Sequence, residues 1–230
     1  MYRFEAVSIE GFVQQLAVGY ISNGYWFYVT GTIPGRKDPR LTDRKIVDQY
    51  GCGVSKWVRA RRKRAGLANV QYLRFHHTFV ILATRGRHRF FEDEAKRFRD
   101  VREVPIKFGG YAIGCKEWKK KFHPSVRIEK QRYREIVARF LKMAIELSVE
   151  ELSGELRGLP FEPYAPIRRQ LIRVLGAINR RRAQAGLEAV PLGALRLRRR
   201  PVSPFGGHSA SIRPWEVGQG EQRDPLPAGL

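Results

Sequence analysis

The order of strand and helix signals between residues 25 and 113 constrains the fold of this chain more than any other feature. Tyr25-Trp26-Phe27-Tyr28-Val29-Thr30-Gly31-Thr32-Ile33 is rich in aromatic and β-branched residues and is stopped by Pro34-Gly35, which predicts a strand. Asp38-Pro39 then sets a helix start, with Asp as the cap and Pro in the first turn, and Leu41, Ile46, Val47 and Tyr50 give its apolar side before Gly51. A second helix is predicted over Ser55–Ala65, capped by Ser55 and packed through Val54, Trp57 and Val58. Gly66 takes the left-handed closing position and Leu67 folds back on the helix. The same ending returns at Arg180–Leu187, and the unlike flanks make it shared capping chemistry, not a duplicated domain.

Val70–Phe75 and Thr78–Thr84 read as two strands joined at His76-His77, or as one long strand, followed by a basic turn at Arg85-Gly86-Arg87. Phe91–Phe98 reads as a short helix with Glu92, Asp93 and Glu94 in its first turn, and Ile106–Ile113 as a strand interrupted by Gly109-Gly110. The succession strand, helix, strand, strand, helix, strand is that of a ferredoxin-like βαββαβ sheet.

Lys116–His123 reads as a basic loop and Val126–Ile128 as a short strand. Apolar residues from Tyr133 to Leu152 trace an amphipathic helix, which Ser148-Val149-Glu150-Glu151 can break and restart as a capping box. Ile167, Leu171, Val174, Leu175 and Ile178 mark a last helix. The expected class is therefore α+β, with a ferredoxin-like domain over 1–125, a helical region with basic outer faces over 126–200, and a disordered basic tail over 201–230. Residues 1–24 fit a hairpin or a helix equally.

At 230 residues and 43% hydrophobic content the chain can bury a core, which excludes full-length disorder. No apolar run reaches the roughly 18 residues of a membrane span, and two cysteines are too few for a disulfide framework, so a cytoplasmic protein is expected. The 44 Lys and Arg against 22 Asp and Glu leave a net charge of +22. A polyanion neutralises such a surplus, and counterion release makes nucleic acid the expected partner. Arginine outnumbers lysine 32 to 12, a ratio that suits forked phosphate contacts and also an Arg-biased composition.

The phosphate-binding candidates are Arg59, Arg61, Arg62, Lys63 and Arg64, then Arg85, Arg87, Lys107, Lys119 and Lys120, and further along Arg168, Arg169, Arg173, Arg181, Arg198 and Arg199. Base stacking is expected on Tyr25 and Phe27, which share one strand face, or on Trp26 and Tyr28 of the other, with Tyr111 beside them, and on Trp118 inside its lysine run. Lys107–Ile113 partly resembles the basic-Gly-aromatic strand of RNA recognition motifs, out of register and on the fourth strand where that motif uses the third. RNA or single-stranded nucleic acid is favoured, with duplex DNA a further candidate.

Two other readings stand beside it. A small endonuclease or strand-transfer protein of a mobile element would use His77, His88 or Tyr133. His76-His77 lacks the His-hydrophobic-His spacing of rolling-circle initiators, and adjacent strand residues point to opposite faces, so the pair cannot chelate one metal unless a bulge or turn redirects it. A basic scaffold of an RNA–protein assembly is the other. No phosphate-cradling GxxxxGK[ST], GxSxG or CxxC occurs, and no cofactor or metal is expected.

Overall fold

The computed structural model describes residues 2–206 and 211–212 and shows a mixed α+β chain. The tail expected from residue 201 lies mostly outside the described residues. The chain divides into two compact units, neither continuous in sequence: one holds residues up to Phe12, Asn23–Asp100 and the stretch from Ser203, the other Val13–Ser22 and Val101–Val202.

In the first unit, strand β1 (Tyr2–Arg3) pairs with a short strand at Ser211–Ile212. Helix α1 (Ile9–Gln14) starts in this unit and runs on, from Val13 within the second, into a wider π turn over Gln15–Tyr20, so the open stretch 1–24 resolves as strand then helix. Strand β2 (Tyr25–Thr32) is followed by α2 (Pro39–Tyr50) and α3 (Lys56–Arg64), then by β3 (Val70–Phe75), β4 (Thr78–Thr84), a single turn α4 (Phe90–Asp93) and β5 (Arg99–Asp100). The sheet order is β3-β4-β2-β5, with every pairing antiparallel. The fourth strand is thus Arg99–Asp100 and not 106–113, and the helix expected over 91–98 is one turn.

The local signals act as chemistry dictates. Asp38 accepts from Arg40 N, Pro39 opens α2, and Gly51 closes it at φ 58°. Ser55 caps α3, and Gly66 ends it at φ 71° with Leu67 N donating to Arg62 O and Gly66 N to Lys63 O. The same pair of bonds recurs at Gly186 and Leu187. Ile46, Val47 and Tyr50 of α2 pack on Phe4, Val29, Val70, Tyr72, Ile81 and Phe90. The opposite sheet face is buried as well, since Tyr28, Leu73, Val80 and Leu82 are each at most 3% exposed.

In the second unit, β6 (Ile106–Phe108), β7 (Tyr111–Trp118) and β8 (Lys121–Ile128) form an antiparallel meander. The strand expected over 106–113 is therefore a hairpin, turned at Gly109-Gly110, and the expected loop 116–123 is the outer half of another. Helices α5 (Lys130–Met143), α6 (Val149–Arg157) and α7 (Ala165–Gln184) follow. The predicted break falls at Ser148, whose hydroxyl accepts from Glu151 N while the Glu151 carboxylate accepts from Ser148 N. Gln170 on α7 exchanges two hydrogen bonds with the Ile128 backbone and so satisfies the last residue of β8. Arg182, next to the candidate Arg181, is 4% exposed and donates to Ala144 O and Leu147 O, tying α7 to the end of α5.

Candidate nucleic-acid interface

Helix α3 buries none of its own residues, yet its two sides differ. Arg59 and Arg62 are half-buried, and Arg59 donates to Val54 O at 2.7 Å. Arg62 lies over the turn at Gly51 and faces Cys52 and His88. Burial, then the charge of Arg62, hold the His88 imidazole below its ordinary value, and its Nδ1 accepts from Phe90 N at 3.1 Å. Cys52 is fully buried, which pushes its thiol up and leaves it a packing residue.

Arg61, Lys63 and Arg64 are exposed at the carboxyl end of α3, where cations suit the helix dipole. Arg85 and Arg87, also exposed, are brought to the same end by a parallel bridge: Arg87 N donates to Gly66 O at 3.0 Å and Ala68 N to Arg87 O at 3.1 Å. Gly86 makes this approach possible, because at its φ of 139° a Cβ would stand 2.5 Å from Ala68 N. Among the described residues none of these five cations is paired with a carboxylate.

Other basic candidates divide into occupied and open. Lys107 is paired with Glu129 at 3.0 Å, which holds that carboxyl below its usual range. Arg168 donates to Pro163 O, and Arg199 lies over the Tyr164 ring and donates to Gln14 Oε1. Arg169, Arg173, Arg181 and Arg198 are exposed. Lys119 and Lys120 form the turn between β7 and β8.

The strand aromatics do not stand on an open face. Tyr25 is 7% exposed, and its phenol is pushed up by that burial. Phe27 is held edge-on between Phe91 and Phe98 at 5.3 and 6.0 Å. Tyr111 is 1% exposed, and its hydroxyl donates to Pro160 O and accepts from Glu162 N. A ring so enclosed offers a base no face. Among the described residues the exposed aromatics are Trp118, at 63%, and Trp57, at 75%, although the sequence pattern assigns Trp57 to the apolar contact of α3. The Lys56 ammonium lies 5.0 Å from the Trp57 ring centre.

Of the proposed catalytic side chains, His77 is exposed in the β3–β4 turn, His88 is half-buried beside Arg62, and Tyr133 is half-buried on α5 with its hydroxyl 3.5 Å from Gln170 O. His77 and His88 belong to the first unit and Tyr133 to the second. Among the described residues no three His, Cys, Asp or Glu side chains gather as a metal site would require.

Sequence reading missed a buried network. Asp43 on α2 accepts from Arg74 Nε at 2.8 Å, from Arg74 Nη2 at 3.0 Å and from Tyr72 Oη at 2.6 Å, while Glu5 reaches Arg74 at 3.1 Å. Its only trace was a lone Arg inside an apolar strand. Compared with models of known families, with curated proteins and with solved structures, the chain finds no match in any of the three.

Proposed function

We propose that this protein binds nucleic acid, RNA or single strands ahead of duplex, with phosphates held at the carboxyl end of α3. The observation that carries the reading is the set Arg61, Lys63, Arg64, Arg85 and Arg87: five exposed cations, gathered by one backbone bridge, with no carboxylate partner among the described residues. Folding brings like charges together at a cost, and a row of phosphates offsets it. Arginine supplies most of the set, and its fork suits phosphate oxygens.

We also read the first unit as ferredoxin-like. Numbered along the chain, its four sheet strands run 4-1-3-2 with antiparallel neighbours, and helices lie between the first and second and between the third and fourth, which supports that reading. With both sheet faces buried, the open sheet on which such folds stack bases has no counterpart, so the cations and the exposed indoles do the binding.

The test is a shift assay over a salt series with the variant R61A/R64A/R85A, which spares the half-buried Arg62. Loss of three phosphate contacts lowers affinity on every probe and flattens the log-affinity against log-salt slope by about 2 to 3. Unchanged affinity and slope remove the α3 end from the interface. Reading probe integrity on the same gel, with H77A and H88A beside the wild type, tests strand cleavage.

A further inference from the structure

We infer that the β7–β8 hairpin is an arm that binds single-stranded nucleic acid by stacking one base on Trp118. This rests on the nucleic-acid reading above and gives it a base-contacting site. Cross-strand register sorts the arm by face: Trp118 stands opposite Lys121 and Lys116 opposite His123, so all four share one side. Glu117 and Phe122 form the other side, where the Arg102 guanidinium covers the Phe122 ring at 5.1 Å. One side of the arm is thus tied down within the unit. The other shows only cations, an imidazole and an indole, and Lys116, Trp118, Lys121 and His123 are all exposed.

The indole itself is prepared for a flat ligand. The Lys119 ammonium sits 4.5 Å from its ring centre, and His123 meets it at 64° with ring centres 6.1 Å apart. With 63% of the residue exposed, most of the indole surface is open to solvent beside these two contacts. Lys116 and Lys121 flank it along and across the ribbon. An aromatic ring bracketed by ammonium groups matches an unpaired base with a phosphate on either side. A duplex hides its base faces within the stack and would leave the indole unused.

The turn adds a second, independent argument. Two-residue hairpin turns with positive φ at both positions belong to Gly and Asn, since a side chain in this region crowds the backbone. The neighbouring β6–β7 turn obeys, with Gly109 and Gly110 at φ 54° and 79°. The β7–β8 turn holds Lys119 and Lys120 at φ 49° and 62°. Within one small sheet the same turn is built once from the residues it favours and once from two it does not. What the second pair supplies is charge at the tip.

The experiment titrates the full chain, as wild type, W118A, W118F and K119N/K120G, against a labelled oligothymidylate and a labelled DNA duplex over a salt series. W118A is expected to weaken oligothymidylate binding about ten- to hundredfold, with W118F retaining most of the affinity and the duplex changing less than about twofold. K119N/K120G installs the favoured turn residues, so its melting temperature holds or rises, while its salt slope on the oligothymidylate flattens by about 1.4. Wild-type oligothymidylate affinity in W118A overturns the inference. Equal losses on both probes overturn it too, because the indole would then act on duplex. If R61A/R64A/R85A weakens binding where W118A does not, the arm falls and the nucleic-acid reading stands. If the wild type shifts neither probe at low salt, that reading falls with it.

Discussion

Replacing Asp43 by Asn tests whether the buried Arg74 network holds the first unit together. The Asp43 and Arg74 side chains are 1% and 5% exposed, and the carboxylate takes two guanidinium nitrogens and the Tyr72 hydroxyl. An amide keeps one acceptor and turns an NH2 group toward the guanidinium, which leaves a buried cation short of a partner. Breaking a buried pair from one side costs about 3–5 kcal/mol, and because Glu5 still reaches Arg74 the expected loss is near the lower end, about 3 kcal/mol. Against a total of about 5–15 kcal/mol this is a large fraction. In urea, with a slope of about 2 kcal/mol/M, the midpoint should fall by about 1.5 M with the slope unchanged. The double variant D43N/R74M removes the stranded cation and keeps an acceptor for Tyr72, so it should lose less than D43N alone. A D43N loss below about 1 kcal/mol, or a double variant worse than the sum of its parts, would refute the argument.

Two further outcomes are expected. Gly86→Ala drives a Cβ into the Ala68 backbone, so it should cost more than about 1 kcal/mol in thermal unfolding and weaken nucleic-acid binding by displacing Arg85 and Arg87; normal stability with normal binding would discount the bridge. His88 sits below its ordinary value in the folded chain, so the unfolded chain takes the proton first as pH falls. The stability that depends on neutral His88 is complete above about pH 6.5 and is lost below it, down through the folded value. Urea midpoints at about pH 7.5 and about pH 5.5 should differ less in H88Q than in the wild type, and equal differences would exclude His88 as a source.

How much of this was legible depends on the range over which each signal acts. Caps are local, and Asp38-Pro39, Ser55, Gly66 and the Ser148–Glu151 box announce their helices within four residues. Gly109-Gly110 was equally visible, but inside an apolar run it read as an interruption and not as the turn of a hairpin. The Lys119-Lys120 turn carried no signal at all, because the residues that mark such turns are absent from it. Burial of the aromatics was hidden for another reason. A strand covered on both faces shows no alternation of apolar and polar residues, so the ring faces of Tyr25 and Tyr28 could not be told apart. The candidate cations of α3 were legible as composition. Their union with Arg85 and Arg87 depends on a contact across the bridge to Gly66, which no window along the chain contains.

The four crossings of the chain between its two units carry a consequence for biosynthesis. Val7 N in the first unit donates to Pro204 O, and Gln14 in the second receives Arg199 and donates to Val202 O. Both units therefore take contacts from the same late stretch, residues 199–204. On the ribosome neither can be finished as an early block while the other is still being made, although domains ordinarily fold as they emerge. A nascent chain stopped before residue 199 lacks the closing contacts of both halves. The second unit has its last contacts once Val202 is made, and the first waits for Pro204 and for the Ser211–Ile212 strand that pairs with β1.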